Sequence, residues 1–465
     1  MRLTRRQVLV GAAASGLGAT GLYELVDRLT PSRPVRRTQG RLHDEQHLLD
    51  GVTVVVDQGV EVLVPPLHHA VITARVTTDD LRAAQRELEE ALVDLEHRYP
   101  PTPAGLGVVV GWGLPYFRRY VPRQADVHLP SDRRASRTKR HLVRALADAV
   151  RFPSDPPETI LEQNDVAVLL RSDVRAHVED AERTLFDRSE ILRVTSIRRG
   201  FVGSDFRPGP SLAKRMAHRA GIDGAELIPD DAEMFLGFTS TQQAALGPSR
   251  IANFETLGYV DLGPRHYFRH GTHMHVSHVF EDLATWYLTF DFRERVDTVF
   301  RPGLDVKPGR VTVAEGGAQA ASARAVRRDF GRHGRIGHSS SIQPTSRLER
   351  DIVAEDGTLY ERGTAVPQRA DFNTLDNPFA WSATAVRDGM AESPAAGIHF
   401  VVFNPTSDDF HRNRLAMDGV LPDGTRLPFG ARDRSQGFNA VLRTSHRQNF
   451  VVPPRRHRSF PLAEL

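Results

Sequence analysis

A chain of 465 residues with 40% hydrophobic and 26% charged content has enough apolar mass for one large or two ordinary domains and is too hydrophobic to stay disordered. Its 61 basic against 58 acidic residues leave a net charge of +3, too little for the sustained basic face that nucleic acid requires, so a nucleic-acid partner is set aside. The absence of cysteine excludes disulfides, iron–sulfur clusters, thiolate-ligated metals and cysteine nucleophiles; any metal falls to His, Asp, Glu, Met or Tyr.

In chain order, Thr4-Arg5-Arg6-Gln7-Val8-Leu9 and the uncharged Gly- and Ala-rich stretch Val10–Leu22 form a twin-arginine export pattern, the address of a route that carries folded cargo. The apolar stretch is shorter than the roughly 20 residues of a membrane-spanning helix, so a signal peptide over residues 1–30 is the stronger reading. With no A-x-A cleavage site after it, retention as an uncleaved anchor stays open. A linker and extension follow over 31–66, Pro- and Arg-containing at its start.

Regular patterning starts near His68. Ala70–Val76 reads as a strand, Thr77–Asp80 as a helix start, and Leu81, Ala84, Leu88, Leu92 and Leu95 as the apolar stripe of a helix running to about His97. Strands follow at Leu106–Trp112 and Val166–Leu170, then an amphipathic helix from Val174 to about Phe186 and a strand at Ile191–Thr195. Strand, helix, strand, strand, helix, strand is the ferredoxin-like order. A second half repeats it with a strand at Gly271–His278, a helix from Glu281 to about Arg295, and strands at Ile398–Phe403 and Phe450–Val452. The expected fold is α+β, with two ferredoxin-like halves over 67–230 and 231–465. The long irregular stretch between Arg301 and Gly397 is the kind of insertion that carries function more often than not, and Arg455-Arg456-His457-Arg458 reads as a solvated tail.

Several stretches, in order and spacing, resemble the dye-decolourising-type haem peroxidase family over roughly Leu67 to Val452. They are Gly111-Trp112-Gly113-Leu114-Pro115-Tyr116-Phe117, Phe235-Leu236-Gly237-Phe238-Thr239-Ser240-Thr241, Gly271–Val276 with Asp282-Leu283-Ala284-Thr285-Trp286, His338-Ser339-Ser340-Ser341-Ile342-Gln343-Pro344, and the closing Phe400–Phe403 and Phe450–Pro454. The resemblance implies a dimeric α/β barrel-type fold and a haem b cofactor in the C-terminal half. It also implies hydrogen peroxide and a reducing substrate as reactants.

On that resemblance His338 is the proximal histidine, binding iron through one ring nitrogen while the other donates to a carboxylate, and Gly237, Phe238 and Thr239 lie beside the cofactor. Peroxide cleavage also needs a proton carrier and a fixed cation. Arg369 takes the cation's role, with Arg362 as fallback. The family's Asp is replaced by Ser240, whose hydroxyl cannot shuttle protons as a carboxylate does, which leaves Asp371 as a substitute. Three functions stay open: an exported peroxidase-like oxidoreductase that uses the twin-arginine translocase, a haem or iron handling protein with little turnover, and a descendant holding no cofactor or another metal. The last would use His273 and His275, which strand alternation puts on one face; a half-exposed polar strand explains the same residues.

Overall fold

The computed structural model describes residues 19–30, 40–57, 60–187, 190–203, 209–237, 250–251, 262, 265–304, 322–348, 351–353, 357, 359–360, 365–377, 394–429 and 435–465. The first half runs β1 (His68–Val76), α1 (Leu81–Arg98), β2 (Gly107–Gly113), β3 (Val166–Ser172), α2 (Arg175–Glu182) and β4 (Leu192–Phe201). Asp80 caps α1 by accepting from the Ala83 amide at 3.0 Å, and Ala84, Leu88, Leu92 and Leu95 are buried as the stripe requires. Hydrogen bonding orders the strands β4-β1-β3-β2.

The second half uses β5 (Thr272–Glu281), α3 (Phe292–Val299), β6 (Phe372–Thr374), β7 (Gly397–Asn404), α6 (Ser407–Met417) and β8 (Leu442–Val452), with α4 (Ala323–His333) and α5 (His338–Ser346) inserted between α3 and β6. Its order, β8-β5-β7-β6, repeats that of the first half. The second strand of each half then meets the fourth of the other: β2 pairs β8 at Gly113↔Phe450 and Trp112↔Val451, and β6 pairs β4 at Asn373↔Phe201. Eight strands thereby close into a barrel. Short strands at Ile160–Leu161 and Gln368–Arg369 bring the sheet to ten.

The interior is filled at one level by Val71, Val109, Leu169, Met274, Val276, Phe372, Val401 and Phe450. One apolar cluster lies between the first-half sheet and α1 and α2; another packs against the second half and includes Leu22, Tyr23 and Val26 of a helix over Ala19–Leu29.

The structure differs from the sequence-based reading in several places: β4 runs on past Thr195 to Phe201, β8 starts at Leu442 instead of Phe450, and β6 and α6 are elements that the sequence reading lacks. The strand expected to stop at His278 continues to Glu281, and the single helix expected next is a wide turn at Thr285–Thr289 followed by α3, because the Asp282 and Asp291 side chains cap two separate starts. Strand β5 is buried on both faces, not half-exposed, since α6 covers its outer side and the Phe410 ring stacks on His275 at 3.4 Å. His338 opens a helix instead of sitting in a loop. The basic C-terminal run is docked: Arg458 is 2% exposed and pairs with Glu89 at 2.9 Å and with Glu96, and Arg455 also reaches Glu96.

Candidate functional site

Period-two alternation decides what each half-barrel offers its helices. On the C-terminal half Met274, Val276, Ala370, Phe372 and Val401 point inward. The outward set is therefore His273, His275, Ser277, Val279 and Glu281 on β5, Ile398, Phe400 and Val402 on β7, and Arg369 and Asp371 on the segment paired with β7. Gln368–Arg369 and β6 hold one register along β7, with Arg369 opposite Val402 and Phe372 opposite His399, so Asp371 lies between them on Arg369's face.

His338 comes to this face through glycines that allow close approach. A Cβ on Gly337 would lie 2.3 Å from the Phe300 carbonyl oxygen, the same oxygen that accepts from Ser340 N at 3.0 Å. The His338 ring packs on Phe438 with centroids 4.4 Å apart. It is half-buried, and Nδ1 is enclosed without a hydrogen-bond partner. Burial, then the charges of Arg369 and Arg414, push the imidazole down to about 3, and its place at a helix start disfavours imidazolium further. The ring is neutral at any ordinary pH.

The carboxyl groups shift the other way. Glu281 is 3% exposed with Oε2 unpartnered; burial, assisted by the Asp371 charge, pushes it up to about 8. Burial also raises Asp371, against the pull of Arg369. The Asp371 charge thus acts on a carboxyl that holds its proton at neutral pH.

Among the sequence-predicted residues, His338, Arg369 and Asp371 converge electrostatically on this face. Gly237 belongs to its outer support. Its φ of 81° and the 2.5 Å from an added Cβ to the Tyr287 hydroxyl demand glycine. Tyr287 Oη donates to Phe235 O at 2.7 Å and Trp286 Nε1 to Leu236 O at 2.9 Å, so the aromatic pair after β5 pins the Phe235–Gly237 turn. Phe238, Thr239, Ser240 and Arg362 lie outside the described residues.

His273 and His275 do share a face, but the two ring nitrogens of His275 lie 2.7 Å from Asn449 Oδ1 and 2.6 Å from Ser277 Oγ. No group of three His, Asp or Glu residues is placed to hold a metal ion among the described residues. Sequence reasoning missed Glu281, Arg414 and Phe438. Only the register of β5, which puts position 281 outward with 273 and 275, could have pointed to Glu281.

Haem fits this face in part. A neutral histidine suits an axial ligand, and half-buried Ile398 and Phe400 suit an apolar ring. Among the described residues no carboxylate accepts from Nδ1.

Similarity to known structures lies in the fold. The DyP-type peroxidase from Cellulomonas bogoriensis aligns with TM-score 0.52 and 18% identity, covering 89% of this chain and 96% of its own. A DypB variant from Rhodococcus jostii RHA1 in complex with haem gives 0.49 and 13% over 85% and 96%, and the encapsulated DyP-type peroxidase of Mycobacterium smegmatis 0.46 and 12% over 85% and 95%. No curated protein matches the sequence. Residues 66–454 match the model of a family of unknown function, DUF7405, and the chain belongs to that family.

Proposed function

We propose that this protein binds haem b through His338 and works as an exported, peroxidase-like oxidoreductase, with hydrogen peroxide as oxidant and an unidentified reductant. The observation that carries the reading is the neutral His338 imidazole, half-buried against Phe438 in the field of the Arg369 charge. The DyP-type peroxidase fold supports it. Bound haem would supply the iron at which peroxide is reduced.

The chain's own residues supply the rest. Arg369 sets a permanent positive charge on the face, where negative charge developing on oxygen is stabilised. Glu281 holds a proton at neutral pH and Asp371 is the neighbouring acceptor, so the pair takes the proton-carrying role that Ser240 cannot fill. Export by the twin-arginine route suits a protein whose cofactor is inserted before it crosses the membrane.

Hemin titration of the purified protein tests this. The wild-type chain should take up hemin with a Soret band, and His338→Ala should weaken uptake by about tenfold or more, the cost of an axial ligand on the order of 1.4 kcal/mol and above. A preparation that stays colourless with hemin supplied overturns the reading. A second reading, haem or iron handling with little turnover, draws on Ser240 and on the missing carboxylate at His338 Nδ1. It expects hemin binding with peroxide turnover no greater than free hemin gives, and a gain of activity in Ser240→Asp.

A further inference from the structure

The barrel has two seams, and they are not equally joined. One ladder pair, Asn373↔Phe201, connects β6 to β4. The helix over Ala19–Leu29 supplies what that seam lacks. Tyr23 Oη lies 2.9 Å from the Arg199 carbonyl on β4 and 2.9 Å from Asp376 Oδ1 just past β6, and accepts from Leu375 N at 3.2 Å. Asp376 Oδ2 in turn accepts from Arg199 N at 3.3 Å. One phenol thus ties together strands from both halves, 6% exposed, with Leu22 at 2% and Val26 at 0% beside it. The helix is held further by Asp27 to His68 at 2.7 Å and by Arg215, which donates to the Leu29 carbonyl.

Cutting a peptide bond requires extended chain in the peptidase, and a docked helix offers none without local unfolding. A protein that folds before export carries this helix already in place. We infer that the segment from Leu22 onward is a permanent latch across the β4/β6 seam, and that any cut removing the export leader falls N-terminal to Leu22. The mature protein then keeps Tyr23, although the export pattern alone would assign residues through 30 to the leader. The processing half of this inference rests on the export reading; the latch does not.

Two measurements on the full chain separate them. Intact mass and N-terminal sequencing of exported, folded material should give a first residue at or before Leu22; a first residue beyond Leu22 in folded protein overturns the inference. Independently, Tyr23→Phe should lower Tm by on the order of 1–3 °C, because a buried acceptor loses its donor, and speed hydrogen exchange at the Leu375 amide about tenfold. Val26→Asp should release the helix to limited proteolysis downstream of Leu29. Unchanged exchange and Tm in Tyr23→Phe overturn the latch. Absence of export with a slow Leu375 amide in the wild type removes the export reading and leaves the latch standing.

Discussion

Glu281 ends a barrel strand with its carboxyl on the covered face, and its acid–base behaviour follows from that position. A carboxylic acid titrates near 4.3 in an unfolded chain, while burial and the Asp371 charge push this one up to about 8. The folded state therefore keeps a proton that the unfolded state has lost between those values, and stability falls as pH rises through that window, by up to about 1.4 kcal/mol per pH unit. Glu281→Gln removes the loss. The variant should match the wild type below pH 4 and exceed it in urea midpoint at pH 8, as read by paired denaturation curves; equal midpoints at pH 8 would show a carboxyl that is not buried. Nothing in Val279-Phe280-Glu281-Asp282 marks the glutamate as buried, since a charged residue at a strand end ordinarily faces water. His338 was legible only through its family resemblance, and its enclosure by Phe438, a hundred residues on, is a tertiary fact.

At the scale of elements, periodicity recovered what is local. The stripe of α1, the Thr77–Asp80 start and the strands β1, β2 and β3 stand close to their reading, because each is set by neighbours within a few residues. What periodicity missed depends on distant partners. The basic run Arg455–Arg458 looks like a solvated tail until α1 brings Glu89 and Glu96 to it, leaving Arg458 2% exposed. Arg458 is buried, but Glu89 keeps 40% of its side chain exposed and Glu96 keeps Arg455, so Arg458→Ala should cost about 1–3 kcal/mol, whereas Arg456→Ala, in the same run, should cost under about 0.5 kcal/mol. Urea denaturation of the two variants compares them directly. The turn at Gly237 follows the same logic: with φ at 81° and Tyr287 Oη 2.5 Å from an added Cβ, Gly237→Ala should lose on the order of 1–3 kcal/mol.

For the whole molecule, closing the barrel from two like halves puts an unusual number of imidazoles out of water. Burial, its largest cause in every case, holds His47, His273 and His338 down to about 3 and His446 to about 4, while His278 and His399, with rings 4.3 Å apart, are pushed well below the ordinary range. In the unfolded chain each would titrate near 6.5. Between about pH 6.5 and 4 the unfolded state thus binds protons that the barrel refuses, and each such histidine removes up to about 1.4 kcal/mol per unit as pH falls. Glu281 opposes this in sign, as do Asp371 and Asp376, whose carboxyls burial also raises, but these acids are fewer than the histidines, so the histidines dominate below pH 6.5 and the glutamate weakly above it. Stability should peak near pH 7. A domain with about 5–15 kcal/mol in hand cannot carry several such losses at once, so near-UV circular dichroism should collapse cooperatively between about pH 6 and 4.5. His446→Gln, which keeps a polar group that never charges, should move that midpoint to lower pH, and a midpoint that stays put would mean His446 is not among the groups that drive acid unfolding.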